Sequence, residues 1–522
     1  MLADNARIDL SDDDGPTPST DTSDTTSGST SDNHSPARPA LGQRHARITD
    51  TSTAPIIVGR LNPAHFEDTG ARNMLQQWAN NGVQPSFSSL NNLPRPQPND
   101  TSVRTHSKYV RAHLGHMVNS SVVSPSVTRP TFVLPLKIVP KSNGKPRMVY
   151  NARRINMRTR APTFRMPTPI RILKHIPRNS YMTRLDISNA YWSIPLHPDF
   201  RQHFGFAFER QYYVWNVLPF GWNVSAWALH TVLDFVRKHL KRTYGISMFI
   251  YSDDFLVIAP NAHLSRLHTD IVLRELKLFG FAVQSTKCQL APVQKCEFLG
   301  MLIDSRSCMV TMTARRRRSY LRILKWLSTC STVPLRIMQQ VVGYLNFVCP
   351  LWPGSRILFT RWIRVLANAK LHTMHVHVDH TDTRELMRVI RLNAPFQFIN
   401  AEHIVYSDAT PWQGGVCWDT DDPLAPVGGL RFHWRYDAIF LQETRAAAIA
   451  IDLTAQMFPG TRIVAYIDNQ AALGALRKGT TYKQEAWPYL RRVHRTLQRH
   501  RCSLSLRYIP SKQNPADFFT RT

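Results

Sequence analysis

The amino-acid sequence predicts a multidomain protein of α/β and α+β layers, and three observations carry that reading. The chain has 522 residues, room for about two to four domains, each with its own core. Between residues 130 and 304, short β-branched and aromatic runs ("TFVLPLKIVP", "RMVYNA", "YMTRLDI", "SMFIY", "FLVIA") alternate with the helical segments "AWALHTVLDFVRKHLKR" and "LSRLHTDIVLRELKLFG", as in a sheet covered by helices. From Ile404 the strand and helix pattern returns, after an intervening stretch that reads as mostly helical and basic.

Residues 1–55 come first, rich in Ser, Thr, Asp, Pro and Gly. Their nine Asp and four Arg give −5, which leaves +34 on the remainder of a chain whose net charge is +29. Such a composition buries too little apolar surface to offset ordering entropy, so a disordered acidic tail is expected, one able to screen the basic remainder. Residues 56–129 form an N-terminal extension in which short helical patterns ("ARNMLQQWANN") are broken by Pro-rich stretches such as "NLPRPQPND". No activity is assigned to it. Its "DTG", Asp68 to Gly70, is the tripeptide of retroviral-type aspartic proteases, but "HFE" before it and "ARNMLQQW" after it favour a turn leading into a helix.

The positive charge selects polyanions as partners. No run of about 18 apolar residues and no charged-then-apolar N-terminus is visible, so the expectation is an intracellular protein of the cytoplasm and/or nucleus, with no membrane partner. Seven scattered cysteines (288, 296, 308, 330, 349, 417 and 502) include no C-x-x-C pair and read as reduced, mostly buried thiols.

Two carboxylates, Asp253 and Asp254, interrupt the apolar run "MFIYSDDFLVIAP". Flanking β-runs make this a tight hairpin with a polar tip. Taken alone it is a solvent-exposed turn; taken with Asp186, which ends the run "YMTRLDI", it completes a carboxylate trio. Like charges that close raise one another's pKa unless a cation intervenes, and oxygen-only ligands suit Mg²⁺ or Mn²⁺. Two such ions, about 4 Å apart, can activate a hydroxyl and stabilise a leaving pyrophosphate.

The order of Asp186, "LPFGW" (Leu218 to Trp222), "YSDD" (Tyr251 to Asp254), "GFAVQSTKCQL" (Gly280 to Leu290) and "CEFLGMLID" (Cys296 to Asp304) resembles the palm of reverse transcriptases. "VPKSNGKPRMVYNARRIN" (Val139 to Asn156) is similar to their fingers segment. The resemblance implies a right-hand polymerase, with fingers and palm over 130–304 and thumb and connection over 305–400. It implies Asp186, Asp253 and Asp254 as metal ligands, helped by the carbonyl of Ile187. Arg147, with Lys141 or Lys145, would hold the triphosphate, since Arg forks and Lys point charges suit phosphate oxygens. Tyr191 matches the gate against a ribose 2′-hydroxyl, a position where a lone Tyr would otherwise read as core. Phe220 and Gly221 would shape the floor under the nascent base pair. Tyr251 and Trp222 either support template and primer or simply pack. Two departures are Ser252, where such enzymes mostly carry an apolar residue, and Phe220, where retroviral enzymes carry Gln.

A second set of acids follows. Asp408 closes "HIVYS", Glu443 opens an Ala-rich helix in "LQETRAAAIAIDL", Asp468 follows "RIVAYI", and Asp517 stands in "YIPSKQNPADFFTR". Each alone reads as a helix cap or surface residue. Together, in the order Asp, Glu, Asp, Asp, they resemble the active site of RNase H. The resemblance implies an RNase H-like α/β domain over 401–522, two more Mg²⁺ or Mn²⁺ ions, and cleavage of RNA read through its 2′-hydroxyls in an RNA–DNA hybrid. The His that RNases H often carry before the last Asp is absent; Arg507, Tyr508 and Ile509 occupy that region. Five residues follow Asp517, so the expected final helix is short.

Between the two sets, "ARRRRS" (Ala314 to Ser319) is read as a contact to primer–template phosphates, with a nuclear-localisation patch or a solvated face as alternatives. "LHTMHVHVDH" holds His372, His375, His377 and His380, surface histidines or a zinc site. "LPFGW", "SDATPWQGG" and "YIPSKQNPADFFTR" look closest to tyrosine-recombinase retrotransposons of the DIRS and VIPER kind and also resemble hepadnavirus polymerases. The implied partners are RNA template, DNA primer, RNA–DNA hybrid and dNTPs, with other retroelement proteins in addition. The competing reading is an inactive or domesticated retroelement-derived scaffold that binds nucleic acid, and lost carboxylates would mark it.

Overall fold

The computed structural model describes residues 48, 53, 56–88, 90, 95–141, 144–352, 354–368, 375–395, 402–419, 421 and 428–521. The acidic tail therefore lies outside the described residues apart from Ile48 and Thr53, and His372 lies outside them too. The described chain divides into two compact units, one of residues 42–168 with 179–299 and one of residues 169–178 with 300–522.

The first unit is built on a four-stranded antiparallel sheet. Its strands lie in the order Ser247–Tyr251, Asp254–Ala259, Tyr181–Asp186, Gln289–Val293. Helices Asn223–Tyr244 and Ala262–Leu278 pack on it. The first of these buries Val224, Ala228, Leu229, Val232, Leu233, Val236 and Leu240, residues three and four apart that form one apolar stripe. Gly245 ends it at φ +68, its N–H reaching the Lys241 carbonyl at 3.1 Å while the Ile246 N–H reaches Leu240. That left-handed stop suits a residue without Cβ. Strands Leu136–Pro140 and Pro146–Tyr150 form a separate hairpin, and Val123–Ser126, Gln211–Trp215 and Gly205–Phe208 a third sheet.

The N-terminal extension carries helices Pro63–Asp68, Asn73–Asn81, Thr101–Thr105 and Ser107–Asn119. Asp68 is the last residue of the first helix and Gly70, at φ +69, turns the chain toward the second. The protease tripeptide is thus a link between helices, without the apolar strand that such a protease needs before it.

In the second unit, strands Met301–Asp304, Met309–Met312 and Ala394–Pro395 pair antiparallel. Helices Ala314–Leu327, Leu335–Val348, Thr360–Asn368 and His380–Arg391 lie between the second and third of these strands in sequence. His375 and His377 share the exposed face of a short strand whose middle residue, Val376, is buried.

The C-terminal part of this unit is a five-stranded sheet in the order Gly429–His433, Gln413–Trp418, Glu402–Ala409, Arg462–Ile467, Ser503–Tyr508. The first three strands are antiparallel, and the last two run parallel to Glu402–Ala409. Helix Ile439–Met457 lies across the sheet and buries Ala446, Ala447, Ala448, Ala450 and Ala455, small side chains that let backbone and sheet approach closely. Among the described residues no helix is long and apolar enough to cross a membrane.

Gly115 lies inside helix Ser107–Asn119 with open space at its Cβ position, and Gly245 has equal space but a left-handed backbone. Gly115→Ala should therefore raise the unfolding free energy of the first unit by about 0.5–1 kcal/mol, whereas Gly245→Ala should lower it by about 1–2 kcal/mol. Chemical denaturation followed by circular dichroism measures both.

Candidate active sites

The first acidic centre is made by strand register. Asp186 lies directly opposite Asp254, and Asp254 lies directly opposite Tyr251 across the hairpin. Residues paired in this way point to the same face of a sheet, so Asp186, Asp254 and Tyr251 form one row. Ser252 and Asp253 are the two residues of the turn, with Ser252 at φ +57. A first turn residue with positive φ matches the right-handed twist of the flanking strands, and such φ disfavours bulky or β-branched side chains. A small polar Ser at 252 accommodates that backbone.

Beyond Asp186 the chain is pinned on both sides. The Ile187 N–H donates to the Asp253 carbonyl at 3.2 Å, while Ser188 donates to Ala282 and Gln284 to the Asp186 carbonyl. Ile187 bridges Val283 without exchanging hydrogen bonds with it. In an antiparallel ladder the N–H and C=O of one residue point to the same neighbour, so the Ile187 carbonyl faces the Asp253 side.

Two residues that sequence reasoning did not assign complete the surroundings of Asp186. Lys287 Nζ stands 3.6 Å from its Oδ1, and the Asp186 N–H donates to Cys288 Sγ at 3.3 Å. Burial pushes the Asp186 carboxyl above its ordinary pKa; Lys287 pulls it back and the charge of Asp253 adds to the rise. Both residues lie inside "QSTKCQL", at the end of the 3₁₀ turn Ser285–Lys287 that leads into strand Gln289–Val293, and only the fold brings that turn beside Asp186.

Phe220 is exposed and its ring meets Tyr191 edge to face at 5.3 Å, with Trp192 at the same distance. Gly221 has φ +88, and a Cβ there would stand 3.1 Å from the Tyr150 carbonyl. Asn156 fixes this loop, donating to the Gly221 carbonyl at 2.9 Å and accepting from the Asn223 N–H at 2.9 Å. Trp222 is buried, its indole N–H bonded to Thr159 at 3.1 Å, which places it in packing. Arg147 is exposed on its strand opposite Val139. Lys141 and Lys145 close the hairpin, with the Lys141 N–H on the Lys145 carbonyl. Tyr109, whose hydroxyl donates to the Pro146 carbonyl, feels the Arg147 charge, and His113 feels that of Lys141.

The second centre is tighter. Ser407 pairs with Ile467 in parallel register, so Asp408 and Asp468, one residue on, emerge side by side at the same end of adjacent strands. Glu443 arrives from one turn inside helix Ile439–Met457. One carboxylate oxygen from each of Asp408, Glu443 and Asp468 lies within 4.8 Å of the others, and among the described residues no other group of three His, Cys, Asp or Glu side chains does so. Asn469 caps the following helix by accepting from the Ala471 and Ala472 N–H groups, which leaves Asp468 free of that task.

Asp517 stands outside this trio. It ends a 3₁₀ turn, Pro515–Asp517, and its Oδ1 accepts from Arg521 Nε at 2.8 Å. The expectation of four converging acids is met by three, with Asp517 near enough to raise the pKa of Asp408 but paired with Arg521. Around the trio, Thr520 donates to Asp408 and Ser511 donates to Asp468 at 2.7 Å. Arg507, in place of the expected His, points its guanidinium at the Tyr466 hydroxyl, 3.1 Å away.

Burial drives the Glu443 carboxyl up to about 9, with the Asp468 and Asp408 charges adding to it. Burial likewise takes Asp408 to about 6, against the Thr520 hydrogen bond. Glu443 Oε2 and Asp468 Oδ1 are buried with no hydrogen-bond partner. Unpaired buried carboxylate oxygens are costly, and an all-oxygen donor set with open valences fits a hard divalent cation. These residues therefore fit Mg²⁺ or Mn²⁺.

Residues 139–303 match the family model described as reverse transcriptase (RNA-dependent DNA polymerase). The chain is 25% identical over 196 residues to Protein P of duck hepatitis B virus (strain United States/DHBV-16), which is 38% of this chain and 23% of that protein. It is 28% identical over 241 residues to the Pro-Pol polyprotein of simian foamy virus type 1, 46% of this chain and 20% of that one. The chain thus spans about a quarter or less of the length of these relatives. Among solved structures, the foamy viral protease-reverse transcriptase in complex with RNA/DNA hybrid matches with a TM-score of 0.52 at 17% identity, over 90% of this chain and 65% of that one. The same viral protein in complex with dsDNA matches at 0.51 and 19%, over 87% and 89%.

With Glu443 and Asp408 raised, the stability they lend is complete below the ordinary carboxylate range and is lost as pH rises through about 6 and about 9. A divalent cation replaces those protons. Mn²⁺ should raise the melting temperature more at about pH 8.5 than at about pH 6, and Asp468→Asn should remove that difference; differential scanning fluorimetry reads it, and an equal shift at both pH values would contradict it.

The chain has the mixed α/β fold of reverse transcriptases, with residues 139–303 carrying a reverse transcriptase domain.

Proposed function

We propose that this protein synthesises DNA on RNA and DNA templates at the Asp186, Asp253 and Asp254 centre and degrades the RNA of RNA–DNA hybrids at the Asp408, Glu443 and Asp468 centre. Retroelement replication needs both activities. The observation that carries the first assignment is the register that sets Asp186 opposite Asp254 beside the Asp253 turn, inside the segment matching the reverse transcriptase model. The second rests on three converging acids, Asp408 and Glu443 buried and Asp468 half-buried, at the ends of two parallel strands and one helix.

At the first centre, Asp186, Asp253 and Asp254, with the Ile187 carbonyl, would hold Mg²⁺ or Mn²⁺, two ions in the two-metal scheme, supplying charge stabilisation to the attacking and leaving oxygens. The protein's own groups do the rest. Tyr191, braced by Phe220, limits the space beside the sugar and so favours dNTPs. Gly221 lets the backbone close under the base pair. Arg147 with Lys145 or Lys141 supplies cationic donors for a triphosphate. Lys287 neutralises Asp186 while no cation does so.

At the second centre the same donor chemistry supports hydrolysis of a phosphodiester. Asp408, Glu443 and Asp468 would hold the ions, with Asp517 joining if Arg521 releases it. Thr520 and Ser511 orient two of the acids. The foamy viral neighbours are described in complex with dsDNA and with RNA/DNA hybrid, which supports template, primer and hybrid as partners here. The motifs "LPFGW" and "YIPSKQNPADFFTR" support a retrotransposon of the tyrosine-recombinase kind as the source, acting in the cytoplasm and/or nucleus.

Asp253→Asn should reduce extension of a DNA primer on an RNA template by more than the roughly 10–100-fold that changes outside the ligand shell cost, while hybrid binding stays intact. Asp468→Asn should spare extension and stop cleavage of labelled RNA in a hybrid. Extension surviving in Asp253→Asn would sink the polymerase assignment; no activity at either centre in the unaltered protein, with hybrid binding retained, would favour the scaffold reading.

A further inference from the structure

The N-terminal extension touches the loop that carries the proposed nucleotide gate. After Asp186 the chain passes through Asn189, left-handed at φ +47, into the turn Ala190–Ser193 that holds Tyr191. The Asn189 side chain donates its Nδ2 hydrogen to the Ile57 carbonyl at 3.0 Å. The Leu61 N–H donates to the Ser193 carbonyl at 3.1 Å. On the other side, the Asn62 N–H donates to Phe279 at 3.2 Å and its side chain to Leu278 at 3.0 Å. Residues 57–62 thus bridge the gate turn and the end of helix Ala262–Leu278, the same two stretches that meet through the Ser188 to Ala282 hydrogen bond.

The contact is close because two glycines meet. A Cβ on Gly59 would stand 2.2 Å from the Gly280 carbonyl oxygen, 2.9 Å from the Ala282 nitrogen and 2.9 Å from Ser193 Oγ; a Cβ on Gly280 would stand 1.6 Å from the Arg60 carbonyl oxygen. Any larger residue at 59 must push backbone away, and the backbone it meets, at Gly280 and Ala282, is tied to the loop after Asp186 by the Ser188 to Ala282 and Gln284 to Asp186 hydrogen bonds. Leu61 is buried, and Ile56 and Val58 pack against the same core, so the segment is anchored rather than draped.

We infer that residues 57–62 are a positioning strap, with Gly59 and the Ile57 carbonyl setting the placement of the Asp186–Tyr191 loop and hence the discrimination between deoxy- and ribonucleotides. The role given to the loop rests on the polymerase reading; the contact does not. Displacements of about 1 Å at such a distance from the chemistry cost up to about 100-fold in rate.

The test uses the full chain. Asn189→Gly keeps a residue at ease with left-handed φ and deletes only the bond to Ile57; Gly59→Ala forces the strap outward. Both should raise the KM for dNTP and lower the preference for dNTP over rNTP by about tenfold or more, with a smaller change in kcat for Asn189→Gly. Hydrogen exchange at residues 187–193 should accelerate in both variants while strand 254–259 keeps its protection. If the unaltered protein does not extend primers, the polymerase reading falls and hydrogen exchange alone decides the strap. Unchanged exchange at 187–193 in Asn189→Gly, or unchanged sugar discrimination in an active and folded variant, overturns the inference.

Discussion

Carboxylates forced together at the ends of strands are the constraint around which both centres are built. Asp186 faces Asp254 across an antiparallel pair, and Asp408 stands beside Asp468 across a parallel one. Like charges so placed oppose folding. Each centre meets the cost differently. Lys287 stands by Asp186 in the first, and in the second burial and mutual repulsion hold Glu443 in its protonated form through neutral pH. Both arrangements leave the acids poised to exchange a lysine or a proton for a divalent ion.

Rigidity around the acids comes from main-chain geometry more than from side-chain packing. The two-residue turn fixes Asp253 through the hairpin, and the Ile187 N–H ties that turn to the strand beyond Asp186. Asn156 clamps the loop carrying Gly221, and the glycine pair 59 and 280 lets a segment far away in sequence sit against the turn Ala190–Ser193. In the second centre, Asn469 takes over helix capping from its neighbour Asp468. Asn156, Asn469 and the three glycines are small polar or glycine positions.

Much of this was legible in the sequence because the informative signals are local. Apolar runs ending at Asp186, Asp408 and Asp468, and the run that Asp253 and Asp254 interrupt, gave both the strands and the places where acids leave them, and the Ala-rich segment after Glu443 gave a helix able to lie close to a sheet. What was not legible depends on partners distant along the chain. Lys287 reads as one more basic residue until the turn that carries it is brought beside Asp186. Asp517 reads as a fourth ligand by order alone, yet Arg521, four residues on, captures it. The extension carried no periodic pattern strong enough to mark a role, since two isolated glycines are informative only once they meet. Ser252 looked like a departure, and its positive φ accounts for it.

Divalent-cation binding by Asp186, Asp253 and Asp254 and by Asp408, Glu443 and Asp468 is the proposal on which both activities rest. Crystals of the full chain soaked in Mn²⁺, with data collected at the manganese edge, test it most directly. The account predicts anomalous peaks within ligand distance of Asp186 and Asp253 and of Asp408, Glu443 and Asp468. An absence of manganese at both centres in crystals that bind it elsewhere, with Lys287 still on Asp186 and Glu443 still protonated, would contradict it.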